Sequence, residues 1–298
     1  MIIPVLEGLT LTKGHVGSSD AIIVPDLTAS RTITPTDIHT ICDRVRGIGA
    51  DCLMRVVIAG DGAWRLDAWD SDGAPATGNS SLLRLAAHYL RVSGLVDLAD
   101  GESVVFVSED GEQYVSRTGL RYSTVIPPAT PLSKEAVERG FDVAVMLDGV
   151  SGARGGMRGG LTIMSQNPSV VVAVEHEDEL NSATGKGKAD PEIPGADLVL
   201  VVPLGDTTII DFDGVERPVT QFRARTFMDG REVASEKGLR DAAIALHAWA
   251  GDTASGIYYA RSFGLDMEIR FAGDGIEMTG PAEIVAEFNL AGIVGEGR

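Results

Sequence analysis

Short apolar runs recur along the chain, separated by polar breaks. Nine of them read as strands: 19–26, 52–60, 64–70, 103–110, 169–176, 197–204, 207–212, 221–227 and 265–271. They are rich in Val, Ile and Phe and bounded by Gly, Asp or Pro. Three segments carry a helical period instead. One, 34–45, offers Thr34 or Thr36 as N-cap; the others, 80–94 and 238–251, end in Gly94 and Gly251. The last two are apolar around most of their circumference, which predicts burial inside a surrounding sheet. Strands outnumber helices without strict alternation, so the pattern predicts an α+β fold.

The stretch IPPATPLS (126–133) has three prolines in eight residues and reads as a linker between near-equal halves. In each half, strands lead into a small polar loop and then one Ala/Leu-rich helix, a faint internal repeat. Two further stretches read as loops. NSATGKGKADPEIPGAD (181–197) is polar and Gly/Pro-rich, and GARGGMRGG (152–160) lacks the Gly-Lys-Ser/Thr ending of a phosphate loop.

Composition narrows the function. The chain has 298 residues, 44% of them hydrophobic, and a net charge of −18. That excess of acid argues against a nucleic-acid partner, which needs clustered Lys and Arg. No apolar run is long enough to span a membrane, the start lacks the features of a signal peptide, and a cytoplasmic location is expected. Cys42 and Cys52 form no disulfide framework, and no Cys/His spacing suits a metal, so neither metal nor cofactor is expected.

Several segments, in order, resemble the diaminopimelate epimerase family. In LTKGHVGSSDAIIV, Lys13, His15 and Asp20 match the opening motif, with Ser19 in place of an Asn. CDRVRGIGADC is similar to the family's second motif, with Cys52 in place of a Gly. DSDGAPATGNSS, SQNPSVVVAVE and RTFMDGREVASEKGLRDAAIA resemble the remaining three. The resemblance implies two pseudo-symmetric domains, each a curved, mainly antiparallel sheet around a central helix. The expected boundaries are 1–128 and 129–282, with a tail 283–298 that either stands apart or returns to the first domain.

The family inverts an amino-acid α-carbon with two thiols, and the resemblance places neither here. Thr77 stands at the first thiol position and Lys237 at the second; a shifted alignment places Ser235 there. The family's partner His and Glu correspond to Ser169 and Met228, its carboxylate-gripping Arg to Asp229, and the Asn of its substrate motif to Asp70. Gly78, Asn79, Asn167 and Gly238 are retained. A threonine hydroxyl is too weak an acid to serve alone. A lysine buried at a helix N-terminus could offer a neutral amine.

These residues lead to a cofactor-independent isomerase that shifts a proton or double bond in a small unsaturated or cyclic amino-acid-like carboxylate. The resemblance to thiol-free isomerases of this fold and to actinomycete epimerases implies specialised, antibiotic-type metabolism. Lys237 and Thr77 are the catalytic candidates. Asn79, Asn167, Ser169, Gly78, Gly238, His15, Ser19 and Asp70 are the substrate-binding candidates, with Asp20 and Asp72 behind them. The partner is a small carboxylate, and the chain is a monomer or a homodimer. The alternatives are an inactive ligand-binding relative, a cyclase using the same cleft and, last, an amino-acid epimerase.

Overall fold

The computed structural model describes residues 3–76, 80–108, 111–150, 156–165, 167–210, 214–273 and 275–290. The chain divides into two compact units. One comprises residues up to Val125 with those from Thr279 onward; the other is Ile126–Met278.

The first unit holds strands β1 (Thr10–Val16), β2 (Ser19–Val24), β3 (Cys52–Ile58), β4 (Trp64–Asp70), β5 (Ser103–Ser108), β6 (Gly111–Thr118) and β7 (Arg121–Ile126). Helix α1 (Pro35–Cys42) lies between β2 and β3, and α2 (Ser80–Val92) between β4 and β5. Of the two candidate caps for α1, the structure uses Thr34, whose hydroxyl and amide both bond Asp37 in a capping box.

The second unit holds α3 (Lys134–Arg139), α4 (Glu177–Ser182) and α5 (Glu236–Ala250). Its strands are β8 (Thr130–Pro131), β9 (Val143–Asp148), β10 (Met157–Met164), β11 (Ser169–Ala173), β12 (Thr184–Asp190), β13 (Asp197–Ile210), β14 (Glu216–Met228), β15 (Arg231–Val233), β16 (Ile257–Ser262) and β17 (Leu265–Ala272). The last strand, β18 (Gly275–Asn289), ends in the first unit, where it pairs antiparallel with β1 from Val16↔Ala282 to Thr10↔Asn289.

Both units follow one succession of pairings. In the first, β1–β2 is antiparallel, β2–β3 parallel, β3–β4 antiparallel, β4–β5 parallel and β5–β6 antiparallel. In the second, β10–β11, β11–β13, β13–β14, β14–β16 and β16–β17 repeat that order. A helix fills each parallel crossover, as a parallel pair requires. The later helix of each set, α2 or α5, lies in the inner core. Leu239, Ala242, Ala243, Ile244, Ala245 and Leu246 of α5 meet Leu161, Val171, Val199, Phe222 and Tyr258 from the strands around them. Leu82, Leu85, Ala86 and Leu90 of α2 meet Ala21, Met54, Phe106 and Tyr122 in the same way. The earlier helix covers the opposite face, where α1 packs on Ile22 and Leu53, and Leu180 of α4 on Val170 and Leu200. Strands covered on both faces explain unbroken runs such as Val170–Val171–Val172.

Three sequence expectations change. The polar stretch 181–197 contains a strand, β12, paired with β9. Two of its inward positions are glycines, and a side chain at either would collide. A Cβ on Gly185 would lie 2.5 Å from the Gly230 carbonyl oxygen, and one on Gly187 would lie 2.9 Å from Leu198. Residues 157–160 of the second glycine-rich stretch open strand β10 rather than forming a loop. In the proline-rich linker, Thr130–Pro131 forms a two-residue bridge to β10.

Candidate active site

Helix α5 starts at a close approach between helix and strand. The Ser235 side chain caps it by accepting the Gly238 N–H at 3.0 Å. Gly238 faces the buried Thr226 of β14, and a Cβ there would lie 2.0 Å from Thr226 Oγ1. Only hydrogen fits, so this glycine sets how near the helix start comes to the wall. Ser235 is therefore the cap, and Lys237 projects from the second helical position.

Strands β11 and β13 run parallel, with Ser169 opposite Asp197 at their starts. Both side chains meet Lys237. Its Nζ donates to Ser169 Oγ at 2.6 Å and to Asp197 Oδ2 at 3.0 Å. One turn further along α5, Asp241 Oδ2 is 3.2 Å from the same amine and accepts the Ser169 hydroxyl at 2.7 Å. Arg240 grips the other Asp241 oxygen with Nε at 2.8 Å and Nη2 at 2.7 Å. Two cations and two carboxylates thus balance around one hydroxyl. Asp241 and Ser169 are fully buried, whereas the Lys237 side chain keeps 26% of its exposure. The surroundings of Lys237 are ionic, not the apolar pocket that a neutral amine would favour.

The other candidates of this unit lie nearby in sequence. Asn167 is exposed, and its carbonyl accepts the Ser165 hydroxyl at 2.5 Å. Asp229 is a turn residue. With φ of +49°, followed by Gly230 at +76°, it forms the two-residue connection of the β14–β15 hairpin, where a type I′ turn favours Asp-Gly. A cavity of ≈ 540 Å³ adjoins this turn. Its wall includes Val170, Leu198, Phe227, Asp197 and the inward glycines Gly185 and Gly187 of β12.

In the first unit, His15 Nε2 lies 3.6 Å from Glu283 across the β1–β18 pair. Ser19 opens β2, and the exposed Asp70 closes β4, 3.7 Å from the Cys52 thiol. Asp72 accepts the Ala74 N–H at 2.8 Å within the following turn. Asp20 is the centre of an ion-pair network in this unit. It receives Arg44 at 2.7 Å, Lys13 at 3.1 Å and the Asp51 N–H at 2.9 Å, and Lys13 also reaches the Gly49 carbonyl. Burial alone would lift the Asp20 carboxyl, but these donors outweigh it and hold it well below the usual carboxylate range. Burial pushes the Cys42 and Cys52 thiols up to about 12, with Asp70 adding to the effect at Cys52. Neither is poised as a thiolate. Thr77, Gly78 and Asn79 lie outside the described residues.

Sequence reasoning missed Asp197, Arg240 and Asp241. Asp241 carried a signal, since it follows Lys237 by four residues on the same helix face. Asp197 carried none, because only the parallel pairing of β11 and β13 brings it to Ser169. Among the described residues, no group of three or more His, Cys, Asp or Glu side chains could hold a metal ion, and no helix is long and apolar enough to cross a membrane.

No family model matches the sequence. The chain is 27% identical over 293 residues to the diaminopimelate epimerase of Corynebacterium glutamicum strain ATCC 13032, covering 93% of this chain and 96% of that protein. A shorter match, 36% identical over 103 residues, links it to the diaminopimelate epimerase of Mycolicibacterium vanbaalenii; it covers 29% of this chain and only 36% of that relative's length. Among solved structures, the phenazine biosynthesis protein of the PhzF family from Bacillus anthracis superposes with a TM-score of 0.60 at 13% identity, covering 95% of this chain and 99% of the other. The fold is thus the sheet-rich one shared by epimerases and PhzF proteins. Over nearly its whole length the chain is similar to diaminopimelate epimerases.

Proposed function

We propose that this chain is a cofactor-independent isomerase that moves a proton, and with it a double bond, within a small unsaturated or cyclic amino-acid-like carboxylate. The observation that carries the reading is the position of Lys237. It is the partly exposed end of a chain of hydrogen bonds that runs through Ser169 to the buried Asp241. The ammonium first passes a proton to a neighbouring carboxylate, Asp197 or Asp241. The neutral amine then takes a proton from one substrate carbon, and the charge left behind spreads into the conjugated carboxylate. The ammonium returns that proton to another carbon, and the carboxylic acid restores the starting state. Every proton is accounted for, and no thiol is used. Asn167 orients the carboxylate or enolate oxygen in this reading. The likeness to a PhzF-family protein of phenazine biosynthesis favours a setting in specialised, antibiotic-type metabolism. The partner is a small carboxylate, and the protein works in the cytoplasm as a monomer or homodimer.

The test is deuterium uptake from heavy water into a panel of dienoic acids, pyrroline carboxylic acids and amino acids, followed by NMR. Lys237→Arg is the sharpest control, because an arginine keeps the positive charge but cannot give up its proton. Uptake by the unaltered chain that disappears in Lys237→Arg and Lys237→Met is expected. Uptake that survives Lys237→Arg counts against the mechanism, and no uptake with any acid counts against the reaction. One observation favours a second reading, a ligand-binding protein without catalysis: three protein acceptors already surround the Lys237 amine.

A further inference from the structure

We infer that the hollow behind β11 and β13 is a second binding site, separate from the Lys237 network, and that its ligand is a compact apolar amine. The site follows from the two faces of one pair of strands. On β11, Ser169 meets Lys237 and Val171 packs in the α5 core, whereas Val170 and Val172 turn to the core under α4. On β13, Asp197 meets Lys237 and Val199 packs in the α5 core, whereas Leu198 and Leu200 turn to the α4 side. The pair Val170–Leu198 follows the pair Ser169–Asp197 by one step, so successive residues face opposite ways. The ≈ 540 Å³ hollow opens on the Val170–Leu198 side, and neither Ser169 nor Lys237 borders it. A molecule held there lies behind the network, with the backbone of two strands between.

The lining defines what fits. Val145, Val170, Ala189, Ile193, Leu198 and Phe227 give the hollow apolar walls, and all of them belong to or pack on one hydrophobic cluster. Its size is within the range of small-molecule sites, and such walls offer few partners to ordered water. Besides Asp197, which is tied to Lys237, three charged residues border it: Lys188, Glu192 and Asp229. Lys188 opposes the exposed Met146 across the β12–β9 pair, on the face away from Ala189, so its amine turns outward. Glu192 and Asp229 are exposed, and among the described residues neither carboxylate has a hydrogen-bond or ion-pair partner. An apolar hollow rimmed by two unpaired carboxylates suits a hydrocarbon body that ends in an ammonium group. The chain's net charge of −18 draws cations toward it and disfavours a second carboxylate.

Fluorine NMR of the full chain with para-fluorobenzylamine tests this, against para-fluorophenylacetate, which is similar in shape and opposite in charge. The amine should bind with a dissociation constant of about 1 mM, the scale for so few atoms, and the acid about tenfold or more weakly. Glu192→Gln with Asp229→Asn should weaken the amine about tenfold, the scale of one hydrogen bond to a charged group. Asparagine suits the turn at 229, because Asn-Gly is favoured there. Ala189→Leu and, separately, Ile193→Trp should each block binding by filling the hollow. Lys237→Met, on the other face, should leave it unchanged. Circular dichroism checks that each variant folds. No binding of the amine, equal binding of the acid, full affinity in the Glu192/Asp229 variant, binding that survives both filling variants, or binding lost in a folded Lys237→Met overturns the inference. None of these readouts uses turnover, so they stand whether or not the isomerase reading does.

Discussion

The hydroxyl of Ser169 stands between Lys237 and Asp241, 2.6 Å from the amine and 2.7 Å from the carboxylate. It accepts from one and donates to the other with no exposure to solvent. Ser169→Ala removes both bonds and leaves Asp241 short of a donor. The expected loss is about 1–3 kcal/mol of stability, read by urea unfolding. Ser169→Thr, which keeps the hydroxyl, should lose less if the added methyl is accommodated. A Ser169→Ala variant as stable as the unaltered chain would show that the bridge contributes nothing.

Gly238→Ala places a methyl 2.0 Å from Thr226 Oγ1. Overpacking at a helix–strand contact costs about 1–3 kcal/mol or more. Thr226→Ala in the same chain removes the oxygen that the methyl meets, so part of the loss should return. The two substitutions should therefore be non-additive in a thermal unfolding series.

Acid should unfold the first unit partly through Asp20. Its carboxyl is held below the usual range by Arg44, the Asp51 amide and Lys13, against the opposing effect of burial. A depressed carboxyl contributes stability that is complete above its unfolded value, about 3.9, and is lost as pH falls toward the folded one. Asp20→Asn should lower stability at neutral pH and flatten the decline below about pH 4. An unchanged acid limb would remove Asp20 from the account.

Two histidines give a separate dependence nearer neutrality. Burial lowers His88, with Arg91 adding to it, and burial lowers His247. Each Nδ1 lies against a tyrosine hydroxyl: Tyr122 at 3.0 Å from His88 and Tyr258 at 3.2 Å from His247. The folded chain favours the neutral rings, so stability present above pH 6.5 falls as pH drops through the lowered folded values. His88→Gln with His247→Gln should flatten the melting temperature between about pH 7 and 5. A profile that keeps its slope would place the titration elsewhere.

Both cysteines should be silent. With thiols pushed up to about 12 by burial, Cys42 and Cys52 should react with a thiol reagent only after unfolding. Cys42→Ala with Cys52→Ala should retain whatever proton exchange the unaltered chain supports. Loss of exchange in a folded double variant would return a thiol to the mechanism.

The sequence made some of this legible and hid the rest for identifiable reasons. The walls around α5 announced themselves because β11 and β13 are covered on both faces and read as continuous Val and Leu. Gly94 and Gly251 marked helix ends, with φ of +71° and +55°. Strand β12 was hidden, since Gly185 and Gly187 occupy the positions where alternation would place large apolar residues. Lys237 and Ser169 were legible through resemblance. Their partner Asp197 was not, because a parallel crossover brings together residues 28 positions apart (169 and 197) without leaving a periodic trace. Asp229, matched in sequence to a ligand-gripping arginine, proved to be half of a tight turn.

The missing side chains of β12 have a consequence for the room beside that strand. Gly185 and Gly187 both border the hollow beside Asp197, so part of its room exists only because two backbone positions carry hydrogen. A single methyl at either would have to push into the Gly230 backbone or into Leu198. The room there is therefore governed by atoms that are absent, and relatives with alanine at these two places should have a smaller hollow.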